Sequence, residues 1–253
     1  MLSDSRQDLI KKIAFRDGEV IISKVAAELG VSFETVRRDI NALCNQNILS
    51  KVHGGAVPIR INEHEGHYLK RKSTNMHIKN ALGAYTANMI KNSGVTFFSV
   101  GTTIEAVASS GVSRMTVVTN SLSIAEIFGK SSSPVILTGG HLNADERFCY
   151  GSETQNQIAR YRADTAIIGA VGIDENGIMC SSDEEGEIIA GMMKASDRVI
   201  LVAESQKFSQ KSVYRFSSLK HIDDIVTDNL HPIPEKTLEV LKNNKIKVHI
   251  VEA

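Results

Sequence analysis

Ser32-Phe33-Glu34-Thr35-Val36-Arg37-Arg38-Asp39-Ile40 carries two patterns at once. Val36, Ile40 and Leu43 recur at i, i+4 and i+7, the buried stripe of a helix, and Ser32 stands where a hydroxyl accepts hydrogen bonds from first-turn amides. Phe33, Glu34, Thr35, Arg37 and Arg38 fall on the other face, so a hydroxyl and guanidinium cluster is expected in solvent at the start of that helix. Just upstream, Val25, Ala26 and Leu29 predict a short helix capped by Ser23 and closed by Gly30, too short to persist unless packed. Leu9, Ile10 and Ile13, ahead of an Asp17-Gly18 stop, predict one more helix, and Val20-Ile21-Ile22 is β-prone.

Two helices joined through Gly30-Val31-Ser32 have the spacing of a helix-turn-helix, whose second helix enters the major groove with its first residues toward the bases. In that frame Ser32 and Thr35 suit phosphate oxygens, and Arg37 and Arg38 suit phosphate or a guanine edge. Phe33 and Glu34 are the expected base contacts. Residues 48–52 then read as a strand and His53-Gly54-Gly55 as a turn before Ala56-Val57, a wing from which Lys51 and His53 reach the DNA backbone. Three short helices alone fit equally well a small helical adaptor whose arginines sit in solvent.

Residues 32–40, followed by Lys51-Val52-His53-Gly54-Gly55-Ala56, resemble the amino-terminal signature of the DeoR family of bacterial transcriptional regulators, a VSxxTxRRDL helix and an RVHGGA wing. Both halves stand in the right order and separation, and the resemblance implies sequence-specific binding of operator DNA. Asp39, beside two arginines, is expected to brace them or a neighbouring helix rather than face phosphate.

At 253 residues the chain is long enough for one large domain or two unequal ones, and its 42% hydrophobic and 23% charged residues exclude a disordered or fibrous chain. The longest apolar run, 166–173, is far short of the ~20 residues of a membrane span. Ser3 to Asp8 is polar, without the order of a secretory signal, so a cytoplasmic location is the expectation. Cys44, Cys149 and Cys180 fit neither a disulfide framework nor a thiolate metal site, and no metal or cofactor is expected. Residues 1–72 hold 12 basic and 9 acidic residues against 17 and 20 in the remainder, a mild asymmetry that alone implies no nucleic acid.

Residues 58–74 are polar and lack sustained periodicity, which places a linker between a domain at 1–57 and another at 75–253. His64 and His67 within it read as solvated histidines rather than metal ligands. Ile78, Ala81, Leu82, Tyr85 and Met89 then predict a helix. Beyond it, β-branched runs at 95–100, 116–119, 135–138, 165–171, 199–203, 225–227 and 248–251 alternate with helical segments. Such runs imply a mainly parallel sheet covered on both faces, with ligands expected beyond the carboxyl ends of its strands.

Gly101-Thr102-Thr103, Thr119-Asn120-Ser121 and Gly139-Gly140 follow the first three of these strands, and together their amides and hydroxyls suggest a site for an anion such as phosphate. Any one such turn is equally what a strand-to-helix connection needs. Asp183, Glu184 and Glu185 precede a helix and Lys207 follows a strand. They are candidates to hold a sugar and its phosphate, although an acidic trio at a helix start is also what the helix dipole favours by itself.

This half resembles the sensor domain of the same family, similar in fold to ribose-5-phosphate isomerase, through GTTIEAVA from Gly101, VVTNSL from Val117, LTGG from Leu137, GIDENGI from Gly172 and SQKF from Ser205. The resemblance implies that a phosphorylated sugar or related metabolite binds these loops and alters operator affinity, and that the protein is a homo-oligomer, a dimer or tetramer, most often a repressor. Ser99 and Glu204 stand where the family usually has Asp. Residues 185–192 lack the family's Lys-Arg pair, so the anion bound is expected to differ or to bind more weakly. Phe148, Cys149 and Tyr150 form a loop that either shapes specificity or packs. The competing reading is a sugar-phosphate isomerase-like enzyme with an accessory nucleic-acid domain, taking Glu185 or Asp183 as base and Lys207 as electrophile.

Overall fold

The computed structural model describes residues 3–45, 48–52, 54–58, 63–91 and 94–252. Its backbone divides into two compact units, residues 1–63 and 64–253. In the first, α1 (Ser3–Asp17), β1 (Val20–Ile21), α2 (Ile22–Leu29) and α3 (Phe33–Asn45) precede a hairpin of β2 (Leu49–Val52) and β3 (Gly55–Pro58). Ile10, Ile13, Ala14, Val25, Val36, Ile40, Leu43 and Leu49 make its core, the apolar stripes read from the sequence. Gly30 ends α2 in the left-handed region, at φ 64°, and its amide bonds the Ala26 carbonyl. Ser23 lies inside α2, because the β-prone run ends one residue early and Ile21 takes the cap position without any side-chain bond. Gly55 lets the wing lie against β1: a Cβ there would stand 1.8 Å from the Val20 carbonyl oxygen.

The second unit begins with α4 (Glu63–Ser73) and α5 (Met76–Met89). Then follow β4 (Val95–Phe98), α6 (Thr102–Ser109), β5 (Thr116–Thr119), α7 (Leu122–Phe128), β6 (Val135–Leu137), β7 (His141–Asn143), β8 (Phe148–Tyr150) and α8 (Ser152–Ile158). The chain continues through β9 (Thr165–Ile168), β10 (Gly172–Asp174), β11 (Gly177–Cys180), α9 (Asp183–Lys194), β12 (Val199–Val202), β13 (Tyr214–Ser217), β14 (Asp224–Asp228), α10 (Glu235–Asn243) and β15 (Lys247–Val251).

The seven runs expected as strands form one seven-stranded sheet in the order β15-β14-β12-β9-β4-β5-β6, with every pairing parallel. Apolar layers cover both faces: Phe97, Ile168, Ile188 and Leu201 contribute to one, Phe98, Ile104, Ile167 and Val202 to the other. The order runs outward in both directions from the pair β4 and β9, so the crevice beyond their carboxyl ends is a topological switch point, where open α/β sheets bind ligands. Ser99 marks it, its amide bonding Ile167 and its hydroxyl accepting from the Gly169 amide at 3.3 Å. The hairpin of β7 and β8 and the antiparallel sheet β10-β11-β13 were not foreseen from the sequence, since runs of three or four residues carry too little periodicity to register.

One difference bears on the site. Residues expected to form a polar linker include helix α4, whose Tyr68 is 5% exposed. Tyr68, Arg71 and Lys72, at i, i+3 and i+4, share one side of it, the tyrosine buried and both cations exposed, so no apolar stripe marks the helical period there. The side chains of His64 and His67 lie outside the described residues. Among the described residues no helix is long and apolar enough to cross a membrane.

Candidate functional site

In the first unit the N-terminal turn of α3 is the exposed feature. The Ser32 hydroxyl accepts from the Thr35 amide at 3.2 Å and meets the Thr35 hydroxyl at 2.9 Å, which holds both at the helix start. Phe33 is 61% exposed, an aromatic ring left in solvent among polar neighbours. Arg38 is exposed, and Arg37 makes only a loose 3.4 Å pair with Glu34, both side chains being mostly solvated. Asp39 points the other way: it is 3% exposed and bonds the Arg6 guanidinium of α1 at 2.5 and 3.1 Å, so it braces a neighbouring helix. Lys51 stands exposed on β2; His53 lies outside the described residues.

In the second unit the carboxyl ends of the strands bring several predicted residues together. Gly101 opens α6 at φ 127°, and the amides at the start of that helix, Thr102 and Thr103 among them, have no intrahelical acceptor. The next turn is spent on the fold. The Thr119 hydroxyl donates to the Phe98 carbonyl, the Ser121 hydroxyl caps α7 through the Ile124 amide, and the Asn120 amide group donates to the Cys149 carbonyl. Asn120 Oδ1 is buried and, among the described residues, has no hydrogen-bond partner. Gly139 and Gly140 pack under α8, where Thr154 donates to the Gly139 carbonyl and a Cβ on Gly140 would stand 2.2 Å from the Thr154 hydroxyl.

Asp183, Glu184 and Glu185 form the first turn of α9, with Ser182 as the cap. Asp183 and Glu184 are exposed, whereas Glu185 closes a reciprocal cap, its amide bonding Ser182 and its carboxylate accepting from the Ser181 amide at 3.2 Å. Burial pushes the Glu185 carboxyl above its ordinary value of 4.5, the repulsion of Glu146 adding to it while the Ser181 amide and Arg71 oppose it. A carboxyl raised in the native state favours folding below its unfolded value and loses that contribution as pH rises through the folded one. Glu185→Gln is therefore expected to raise Tm by a few degrees at pH 7 and to leave it unchanged at pH 4. Thermal unfolding at both pH values checks this, and an equal gain at both would assign the effect to packing.

Lys207, in the 3-10 turn Ser205–Ser209, bonds Gln210 at 2.9 Å, and burial lowers its pKa with help from Arg71. Asp228 anchors the same turn, bonding both the amide and the hydroxyl of Ser205. Beside it Glu204, 5% exposed, accepts from Asn75 at 2.6 Å and from Gln206 at 3.0 Å, with the Lys79 ammonium 4.0 Å away. Burial depresses Lys79 as well, and the charges of Lys207 and Arg71 add to that depression. Burial pushes the Cys180 thiol up to about 12, which leaves no thiolate nucleophile in this region at neutral pH.

The sequence reading missed the contribution of α4 and α5. Tyr68 donates to Glu105 at 2.7 Å and meets the Ser123 hydroxyl at 3.0 Å, Lys72 pairs with Glu105 at 3.0 Å, and Arg71 pairs with Glu146. Tyr68, Arg71 and Lys72 thus reach α6, α7 and the β7–β8 loop. A lone tyrosine with cations three and four residues later was the available signal. Two open depressions, of about 580 Å³ beside Lys91 and Arg114 and about 550 Å³ beside Arg160 and Lys194, contain none of the predicted residues and lie away from this chemistry.

Residues 6–62 match the DeoR-like helix-turn-helix domain and residues 74–229 match the DeoR C-terminal sensor domain. The chain belongs to the DeoR family. It is a DNA-binding transcriptional regulator with a sensor domain and not an enzyme, which retires the isomerase reading. This DeoR-family chain is 29% identical over 255 residues to the transcriptional repressor GlcR of Bacillus subtilis, covering 100% of this chain and 98% of that protein. It is 30% identical over 252 residues to the glycerol-3-phosphate regulon repressor of Haemophilus influenzae, covering 98% and 97%. Ribose-5-phosphate isomerase A of Neisseria gonorrhoeae aligns over 56% of each chain at 16% identity, with a TM-score of 0.39.

Proposed function

We propose that this regulator is a cytoplasmic repressor of a carbohydrate-utilisation operon whose operator affinity changes when a phosphorylated sugar or related metabolite binds beyond the strand ends. The observation that carries the reading is the switch point itself. There the amides at the start of α6, which have no intrahelical acceptor, and the half-buried ammonium of Lys207 offer an anion both oriented dipoles and charge. Thr119, Asn120, Ser121, Gly139 and Gly140 shape the walls of this site through their bonds to the fold, and Glu185, with Asp183 and Glu184 at its rim, supplies carboxylate acceptors for sugar hydroxyls. Lengthwise similarity to a glycerol-3-phosphate regulon repressor supports a small phosphate ester as effector.

A single winged reader makes few phosphate contacts, so operator binding calls for a homo-oligomer, dimer or tetramer, reading repeated half-sites. The test is thermal unfolding of the full chain against glycerol 3-phosphate, hexose and pentose phosphates, and their unphosphorylated parents. Saturation at ~100 times Kd adds about 2.7 kcal/mol, a shift of about 5–10 °C for a domain of this size. A shift that requires the phosphate and is lost in Lys207→Ala is the expected outcome. No shift with any phosphorylated compound would overturn the sensor reading.

A further inference from the structure

We propose that Arg71 of α4 is itself a ligand of the effector's phosphate, and that Glu146 is an internal carboxylate which that phosphate displaces. The inference rests on the sensor reading above and names a residue and an exchange that the reading does not contain.

The Arg71 guanidinium engages both carboxylate oxygens of Glu146, one of them at 3.0 Å, in the fork-to-fork geometry that also suits a phosphate. The two side chains are 45% and 29% exposed, so the pair contributes little to stability while remaining open to exchange with a solute anion. Its surroundings are those of the site. The Arg71 carbonyl accepts from Lys79, and Lys79 faces the Glu204 carboxylate on the turn that carries Lys207. Arg71 also acts electrostatically on Glu185, Lys79 and Lys207.

Among the described residues, α9 supplies no cation in its place. The buried face of α9 is Gly186, Ile188, Ile189, Met192 and Met193, and its one cation, Lys194, stands in the last turn, at the end remote from the site. The α4–α5 segment and Lys207 therefore supply cations here, while Arg147 of the β7–β8 loop is already committed to Ser123 and Glu126. Glu146 is presented by a constrained loop: its amide bonds Asn143 Oδ1 at 3.0 Å, and the next residue, Arg147, is in the left-handed region at φ 59° and bonds Ser123 and Glu126. Exchange of Glu146 for a phosphate thus releases α4 from the β7–β8 loop, and α4 is the first helix of the sensor unit, joined by the chain to the DNA-binding unit.

The test measures binding of inorganic phosphate and of the best phosphorylated compound from the panel to the full-length protein, with Arg71→Met, Arg71→Lys, Glu146→Gln and Lys207→Ala. Arg71→Met is expected to lose about tenfold or more in affinity for both probes, Arg71→Lys to lose less, and Glu146→Gln to gain about threefold or more as the competing carboxylate is removed. A purely structural pair predicts no gain in Glu146→Gln, because removing either partner would then only loosen the fold. Unchanged affinity in Arg71→Met with a loss in Lys207→Ala would overturn this proposal and leave the sensor reading standing. A wild-type protein that binds no phosphorylated compound would overturn both. A gain in Glu146→Gln for glycerate but not for phosphate would overturn the assignment of the anion as phosphate.

Discussion

Arg37→Ala and Arg38→Ala each weaken operator binding about tenfold or more and lower the slope of log affinity against log salt by about one for each phosphate that is no longer neutralised. The expected effect is large because both guanidinia are presented at the start of a helix whose pose is fixed from behind. Asp39, buried and doubly bonded to Arg6, ties the opposite face of α3 to α1, while Ser32 and Thr35 lock the first turn. Arg37 contributes little to the fold, since its 3.4 Å pair with Glu34 is solvent-exposed. The variants should therefore unfold within about 0.5 kcal/mol of wild type, so that a change in DNA binding reports the interface. Phe33→Ala separates the roles further: a ring that contacts bases affects discrimination between operator and random duplex while leaving the salt slope intact. Titration of a selected operator at several salt concentrations checks all three variants. An unchanged slope and affinity in both arginine variants would remove α3 from the interface.

What the sequence disclosed follows from where periodicity lives. Val36, Ile40 and Leu43 revealed α3 because one helical face is apolar and the other is not, and Ser32 revealed its start because a hydroxyl there has few other uses. The seven parallel strands were legible because strands covered on both faces must be β-branched and apolar throughout. Site chemistry was harder to read. A hydroxyl in a turn looks the same whether it meets a ligand or a carbonyl, and only tertiary structure commits Thr119 to Phe98 and Ser121 to the cap of α7. Glu185 was ambiguous between sugar ligand and helix cap for the same reason, and the structure gives it a cap bond and a raised pKa together. Helix α4 was invisible because the partners of Tyr68, Arg71 and Lys72 lie 33 to 75 residues away in the chain, beyond any local pattern.

The distant partner of Lys79 gives the second large effect, Lys79→Met. Its ammonium, 5% exposed, donates to the carbonyls of Arg71 and Thr74 at the end of α4 and faces Glu204 at 4.0 Å. Removing it leaves the Arg71 and Thr74 carbonyls without their ammonium donor and strands a carboxylate that is itself 5% exposed, held then, among the described residues, by Asn75 and Gln206. Breaking one side of a buried pair costs about 3–5 kcal/mol, which for a unit of this size is a fall in Tm of roughly 6–20 °C. Glu204→Gln in the same background removes the stranded charge while its amide oxygen still accepts from Asn75. The double variant is therefore expected to recover about 1–3 kcal/mol of the loss, a coupling that two independent sites would not show. Glu204→Gln alone leaves Lys79 its two carbonyls and should cost less than Lys79→Met. Thermal and urea unfolding of the three variants and wild type complete the cycle. A Lys79→Met protein within about 2 °C of wild type would show that the α4–α5 turn is held by its backbone alone.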